Sequence, residues 1–516
     1  MVEPMIKFKL LNIILIVWIA ALYAEPPLVV QSITPEYILL NGGKTYGLER
    51  GQTLKVYRSG QPVAMVKIEF ISQQSAACAV IRQAREIEIG DQVEPCKECQ
   101  TETTEQKKQS KTRVDGYLVL QQYQFDDQSS YNNDFQQPGV RFAFKVKNLW
   151  NKDYHINIKL RSRYQERKKR YNSTDNHSEW RNRLYQVSFG YDDPNAGFNY
   201  QVGRIISNTF SGVGYIDGVM VQHNTGKHLK TGIFAGTQPQ WQYSDFQTDL
   251  QKYGSFVTYG KGDYHTQKLE TTLAIAGEYH AKITSREFLY LQNSLVKNRK
   301  WSVYQRMELD INRGWRREKT GRSLSLSSLY LSGDYYFSDQ VSGGLSYNNF
   351  RNYYTYELLS VADSLFDDAF RHGLRSNLKL RLSRDLRIYM NAGVRKNQDQ
   401  NDYTYSWMTT LNYQNFIIKS ARIQLRYSGF SNLYTRGINP FIKIGKSFRA
   451  GHSIYLGYGT YQYRYIKNDA FRKSQWVQFN TQVELPASLY LSGQYEYEWG
   501  DITLGNRIYF DLGYRF

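Results

Sequence analysis

Histidine is scarce in this chain, and the few that occur form no recognisable catalytic motif. Eight histidines are spread over 516 residues. None belongs to an HExxH zinc motif, and the sequence contains neither a GxSxG nucleophile elbow nor a P-loop. A hydrolase of the membrane surface would need a serine or an aspartate paired with a histidine. We therefore predict no catalytic residue, no cofactor and no metal site, and we expect that the protein is not an enzyme.

Cysteine is even rarer, since Cys78, Cys96 and Cys99 are the only three. Gln100 follows the CxxC pair at the position where covalent haem attachment needs a histidine. Residues 25–112 contain no histidine, so the three thiols alone make a poor zinc site. In an oxidising compartment Cys96 and Cys99 are a candidate disulfide, with Cys78 left over or exchanging with them.

Long apolar runs are absent except at the N-terminus. Lys7 and Lys9 precede the apolar residues 10–22, and Tyr23-Ala24 closes the run. This order of basic, apolar and small residues predicts a secretory signal peptide over residues 1–24. The alternative is an uncleaved anchor helix, but the run is shorter than the about 20 residues that span a bilayer. The exported chain is then either a soluble periplasmic protein or a membrane β-barrel, and nucleic acid is not an expected partner.

Apolar and polar side chains alternate along most of the chain from residue 113 onward. Segments 140–147, 154–161, 185–191, 374–382 and 477–484 show this period of two, which is typical of β-strands. Short and long connections also alternate, as in barrels with short turns on one side of the membrane and loops on the other. Aromatic residues make up 15% of the chain, while proline numbers only 11. We predict an all-β protein in which residues 113–516 form a transmembrane antiparallel β-barrel of about 18–22 strands.

The last strand is apolar at every second position. Ile508, Phe510, Leu512, Tyr514 and the terminal Phe516 alternate with polar residues and glycine. This pattern resembles the terminal strand of Gram-negative outer-membrane β-barrels. The resemblance implies an outer-membrane location, with membrane lipid and lipopolysaccharide as surroundings. It also implies that the barrel-assembly machinery recognises Tyr514 and Phe516.

Residues 25–99 differ in character from the rest. Their Gly47-Leu48-x-x-Gly51 segment, a hairpin and Ile89-Gly90-Asp91-x-Val93 resemble small β-barrel modules of cell-envelope proteins. The resemblance implies a soluble β-domain that docks or scaffolds in the periplasm and has a periplasmic partner there. The alternative is a stable domain without a ligand. Residues 100–112 are almost entirely polar and form a predicted linker.

Basic residues crowd the polar face of the predicted barrel strands. If the apolar face contacts lipid, the other face lines the lumen. The predicted pore-lining residues are Arg141, Lys145, Lys147, Lys159, Arg161, Arg163, Arg375, Lys379, Arg381, Arg387, Arg395, Arg422 and Arg426. Such a wall favours anions, so we expect a porin-like channel for passive or selective transport of small anionic solutes. Three alternatives remain open: charges that pair with acidic loop residues, an export pore coupled through the N-terminal domain, and a structural or adhesion barrel with a closed lumen.

One further motif lies in the middle of the barrel sequence. Gly203-Arg204, followed by Gly214 and Asp217-Gly218, resembles a Gly-Arg…Asp-Gly stretch of porins and polysaccharide-export barrels. The resemblance implies that Arg204 faces the lumen and that Asp217-Gly218 forms a turn or a constriction. A plain hairpin is the alternative.

Overall fold

The computed structural model describes most of the chain as two compact units, residues 1–108 and 109–516. It describes residues 28–33, 37–43, 46–58, 60–73, 75–95, 111–131, 133–167, 177–207, 211–240, 244–264, 266–358, 370–397, 402–448 and 451–516. The predicted signal peptide, the Cys96–Cys99 pair and all but the end of the predicted linker lie outside these residues. No helix among the described residues is long and apolar enough to cross a membrane.

The N-terminal unit is one antiparallel sheet of six strands in the order β1-β2-β5-β4-β3-β6. Its strands are β1 (Val30–Ile33), β2 (Ile38–Leu40), β3 (Thr53–Arg58), β4 (Gln61–Ile71), β5 (Ala76–Gln83) and β6 (Gln92–Pro95). Alternate residues point into one core, where Leu54, Val56 and Val66 are fully buried. Cys78 belongs to this core, and its burial raises the pKa of the thiol to about 12.

A buried carboxylate fastens the loop between β5 and β6. Arg58 donates from Nε and Nη2 to the two carboxylate oxygens of Asp91, at 2.8 and 2.9 Å. The backbone N–H of Glu88 also donates to Asp91, at 2.9 Å. These three donors stabilise the charged form, so the pKa of Asp91 lies below its ordinary value.

The second unit is a closed barrel of 22 antiparallel strands. They are β7 (Arg113–Asp127), β8 (Phe135–Leu149), β9 (Tyr154–Arg167), β10 (His177–Tyr191), β11 (Phe198–Ile206), β12 (Tyr215–Thr225), β13 (Leu229–Thr237), β14 (Leu250–Gly262), β15 (Gln267–His280), β16 (Ile283–Lys297), β17 (Trp301–Ile311), β18 (Leu324–Tyr336), β19 (Val341–Phe350), β20 (Arg371–Arg381), β21 (Leu386–Asn397), β22 (Tyr403–Gln414), β23 (Ala421–Ser431), β24 (Thr435–Ser447), β25 (Ser453–Tyr465), β26 (Phe471–Glu484), β27 (Leu489–Gly500) and β28 (Leu504–Arg515). The predicted all-β barrel is therefore confirmed, at the upper end of the expected strand number.

The chain closes the barrel with its last residues. β28 pairs with β7 along its whole length, so no strand edge is left open. Phe516 continues the pairing, because it exchanges backbone hydrogen bonds of 2.8 and 3.1 Å with Gly116. Its ring lies over Gly116 beside Phe144, and a Cβ at position 116 would collide with it. Only glycine leaves room for the terminal ring at this position.

The two ends of the barrel differ. Connections at the end where β7 begins are turns of three to six residues, whereas those at the opposite end reach twenty residues, between β19 and β20. The short helix α1 (Trp315–Thr320) and the 3₁₀ turns Ser211–Val213 and Tyr356–Leu358 lie in connections of the second kind. The predicted alternation of short and long connections is present from β7 to β15 but not after β20, where the connections at both ends have three to six residues. The predicted longer connection near the C-terminus was wrong, because β27 and β28 are joined by three residues only.

Candidate functional site

The two faces of the barrel wall carry different side chains. One face exposes large apolar residues such as Ile233, Leu273 and Leu456, with 63%, 54% and 58% of their surfaces accessible. Residues that oppose each other on neighbouring strands point to the same face of the wall. The register of the strands therefore places polar residues together on the face opposite these apolar residues. Segments of the long connections pack against this second face. The face with the exposed apolar residues is therefore the outer surface, and the other face, which is polar on most strands, is the inner one.

Thirteen of the fourteen basic residues predicted to line a pore lie on the inner face. They form two groups, Arg141, Lys145, Lys147, Lys159, Arg161 and Arg163 on β8 and β9, and Arg375, Lys379, Arg381, Arg387, Arg395, Arg422 and Arg426 on β20, β21 and β23. Most are exposed. Within the described parts of the chain only Arg141 among them has an acidic partner, Asp511 at 3.1 Å. We call these thirteen residues the basic wall.

Arginines oppose one another directly across neighbouring strands of this wall. Arg161 lies between Arg141 on β8 and Arg183 on β10, and Arg163 faces Arg181. Arg381 and Arg387 form a further opposed pair on β20 and β21. Like charges directly opposite each other destabilise a sheet by up to about 1 kcal/mol. Asp511 offsets the charge of Arg141, and Glu179 offsets that of Arg181. Arg381 and Arg387 have no acidic partner in the described parts of the chain, so the positive charge stays unbalanced there.

Arg204, the fourteenth of the predicted pore-lining residues, is buried and does not belong to the basic wall. Its side chain is only 6% exposed, and its Nε and Nη2 donate to Asp217 at 2.6 and 2.5 Å. The third nitrogen, Nη1, donates to the carbonyl oxygens of Leu184 and Ser244. Arg204 faces Asp217 in the β11–β12 ladder, one step from the opposed pair Gly203 and Gly218. The motif is therefore a hairpin joined by an internal ion pair, because all of its guanidinium nitrogens are committed.

The inner face of β12–β16 is apolar rather than basic. Phe234, Phe256, Phe288 and Tyr290 are almost fully buried there. The 3₁₀ turn Ser211–Val213 lies against Tyr290 and accepts a hydrogen bond of 2.6 Å from Lys252 Nζ to the Val213 carbonyl. Sequence reasoning missed this cluster. The available signal was the loss of alternation in 273–276 and 288–291, where successive residues are apolar.

A cluster of buried charges adjoins the apolar lining. Asp310 accepts hydrogen bonds from Arg286 at 2.8 Å, from Arg316 of α1 at 2.7 Å and from Ser327 at 2.7 Å. Arg286 also reaches Glu308 at 2.9 Å. Both guanidinium groups are at most 3% exposed. Two cations and two anions therefore balance, and they attach α1 to the barrel wall.

The connection between β19 and β20 folds onto the same region. Arg286 lies 3.6 Å from the ring centroid of Tyr353, in a cation–π contact. The backbone N–H of Tyr356 donates to Ser285 at 3.1 Å, and the Tyr356 ring stacks on His280 with 3.9 Å between centroids. These contacts hold residues 353–356 against β15 and β16. The inner surface of β11–β18 is thus covered in part, and the basic wall lies on other strands.

The architecture defines a class of protein. A closed 22-stranded antiparallel barrel with an apolar outer surface has the architecture of the transmembrane β-barrels found in outer membranes. Among the residues that the structure describes, no group of three or more histidine, cysteine, aspartate or glutamate side chains could hold a metal ion.

Comparisons with known proteins find similar structures only. No protein-family model and no curated protein matches the chain. Pseudomonas aeruginosa OccK7 (OpdD) is similar at 10% identity and a TM-score of 0.42, over 79% of this chain and 99% of that one. The translocation pore of the P pilus usher PapC is similar at 11% identity and 0.41, over 78% and 99%. Acinetobacter baumannii OccAB4 is similar at 9% and 0.39, over 79% and 99%. At such scores the similarity carries no argument about function.

Proposed function

We propose that the protein is an outer-membrane channel through which small anionic solutes diffuse. The observation that carries this proposal is the basic wall. Its exposed cations lie on the inner face, and twelve of the thirteen have no acidic partner in the described parts of the chain. A confined, positively lined passage concentrates anions and lowers the electrostatic barrier to their entry.

The opposed arginines add a chemical preference. Arginine presents a planar fork of donors that binds carboxylates and phosphates in a bidentate manner. An anion between Arg381 and Arg387, which oppose each other on β20 and β21, would relieve their mutual repulsion. Carboxylated and phosphorylated solutes are therefore the preferred substrate class of the proposed channel.

We also propose which end of the barrel faces the periplasm. β7 begins and β28 ends at the barrel end with the short turns, which in outer-membrane barrels faces the periplasm. Residues that precede β7 would then lie in the periplasm, including the N-terminal domain. We also propose that the N-terminal domain has a periplasmic partner. Tyr514 and Phe516 are the proposed assembly signal.

Ion selectivity in planar bilayers tests the proposal. One unit charge about 6 Å from an ion in water is worth about 0.7 kcal/mol, or roughly threefold in local anion concentration before screening. The triple variant Arg161→Gln, Arg375→Gln, Lys379→Gln should therefore lower the chloride-to-potassium permeability ratio several-fold. The effect should shrink at high salt.

The control removes three charges from the barrel ends. Lys282, Arg299 and Arg317 are exposed and lie in connections between strands. Changing these three to glutamine alters the net charge equally and should leave the permeability ratio unchanged. A cation-selective wild type, or equal shifts in the two triple variants, would contradict an anion channel lined by the basic wall.

A further inference from the structure

Two aromatic rings lie flat on the inner face of the barrel, away from the arginine rows of β8–β10. Phe441 on β24 and Trp476 on β26 flank β25, and Gly459 of β25 faces both of them. The rings are nearly parallel, with 19° between planes and 6.4 Å between centroids. A Cβ at Gly459 would collide with the indole, and one at Gly457 would approach Phe441 to 2.9 Å. The rings therefore rest on the glycines of β25 and present their other faces inward.

Amide groups surround this aromatic surface. Gln424, Asn439 and Gln478 line the same recess, which has a volume of about 530 Å³. That volume lies within the about 300–1,000 Å³ of small-molecule sites. Asn439 Oδ1 and Arg426 Nε are buried and have no hydrogen-bond partner among the described residues. Buried polar atoms are normally satisfied, so these two point to a ligand or water that completes their bonding.

The charges of the recess leave a net positive site. Arg507 reaches Glu496 and Glu498 at 2.8 and 2.9 Å, so one cation serves both carboxylates. Arg426 lies 4.8 Å from the centroid of Phe441, and Lys443 lies 4.8 Å from that of Tyr455. Neither has an acidic partner within the described ranges. Both cations stay available for a ligand's negative charge.

We propose that this aromatic recess binds a hydroxylated ring that carries a carboxylate, that is, a sugar acid. The apolar C–H face of such a ring packs on the faces of Phe441 and Trp476. Its hydroxyl groups hydrogen-bond to the amides, and its carboxylate binds Arg426 and Lys443. The inference rests on the proposed channel function and narrows its substrates from small anions to sugar acids.

Saturation-transfer NMR on the full-length protein in detergent micelles tests the recess without requiring conductance. The probe is methyl β-D-glucuronide, compared with the uncharged methyl β-D-glucoside and with inorganic phosphate. The axial protons H1, H3 and H5 share one face of the glucuronide ring and should receive the strongest saturation. The glucuronide should bind more tightly than the glucoside, and phosphate should compete weakly because it has no C–H face.

Two substitutions locate the binding. Trp476→Leu should weaken glucuronide binding about tenfold, since it removes the larger ring. Its matched control is Trp407→Leu, because Trp407 lies over Gly429 in the same way but on the outer face. Lys443→Gln keeps the aromatic surface and should reduce the preference for glucuronide over glucoside.

The outcomes separate the two proposals. Equal binding by wild type and Trp476→Leu, or equal loss in both tryptophan variants, overturns the recess. Equal affinity for glucuronide and glucoside overturns the sugar-acid class, and full competition by phosphate reduces the recess to a general anion site. In each case an anion-selective reversal potential would still support the proposed anion channel. Glucuronide binding in a protein that conducts no ions would instead reject the channel and keep the recess.

Discussion

Asp310 is the residue whose replacement should disturb the inner lining most. It is 1% exposed and accepts hydrogen bonds from Arg286, Arg316 and Ser327. Asp310→Asn keeps the size of the side chain and removes one negative charge. The buried cluster then changes from two cations and two anions to an excess of one cation. The amide also turns an N–H₂ group towards one of the two guanidinium groups.

The expected cost is large. Removing one partner of a buried ion pair destabilises a protein by about 3–5 kcal/mol, because an uncompensated charge stays buried. We therefore expect Asp310→Asn to lower the free energy of unfolding by at least about 3 kcal/mol. Adding Arg316→Met restores neutrality and should recover part of the loss, as a double-mutant cycle would show.

Urea unfolding of the barrel in lipid vesicles, followed by tryptophan fluorescence, measures the effect. Asp334→Asn on β18 is the matched control, because this carboxylate has no ion pair within the described ranges. It should change the free energy of unfolding by less than about 0.5 kcal/mol. If Asp310→Asn were equally mild, or if Arg316→Met made it worse, the cluster would not anchor the lining as described.

Three further predictions concern closure of the barrel and the N-terminal domain. Gly116→Ala should lower the yield of folded barrel in a heat-modifiability gel, since its Cβ collides with the Phe516 ring, whereas Gly493→Ala has room and should not. Leu54→Ala removes a fully buried side chain and should destabilise the N-terminal domain by about 2–5 kcal/mol, measured by hydrogen exchange of residues 28–95. Asp91 has a lowered pKa, so its stabilising contribution is present above the ordinary carboxyl pKa of about 3.9 and is lost as the pH falls through the folded value. Asp91→Asn should therefore weaken the pH dependence of domain stability in acid.

Each of the three has an opposite result that would count against it. Equal yields for the two glycine variants would show that Phe516 does not need the space over position 116. A Leu54→Ala effect no larger than that of the exposed Val80→Ala would contradict the core assignment. An unchanged acid profile in Asp91→Asn would mean that its contact with Arg58 does not stabilise the domain.

The barrel was predictable because its signal is local. A period of two in hydrophobicity fixes which side chains share a face, and each strand repeats it independently. Arg375, Lys379 and Arg381 could be assigned to one face from their spacing alone, and the register of β20 agrees. The strand number followed from the length of the alternating region, within a few strands.

The covered part of the inner face could not be predicted in the same way. Arg286 and Tyr353 lie far apart in the sequence, and no periodicity links the connection after β19 to β16. The resemblance implied that Arg204 faces the lumen, but its side chain is buried against Asp217 across the hairpin and against the backbone of Ser244. Such contacts depend on how the connections fold inward, which strand alternation does not determine.

Single-channel recording of the wild-type protein in a potassium chloride gradient is the decisive test of the proposed anion channel. We expect stable open currents with a reversal potential shifted towards the chloride equilibrium potential, because the exposed cations of the basic wall outnumber their acidic partners. A barrel that inserts fully folded but passes no current, or one whose reversal potential lies on the potassium side, would contradict it.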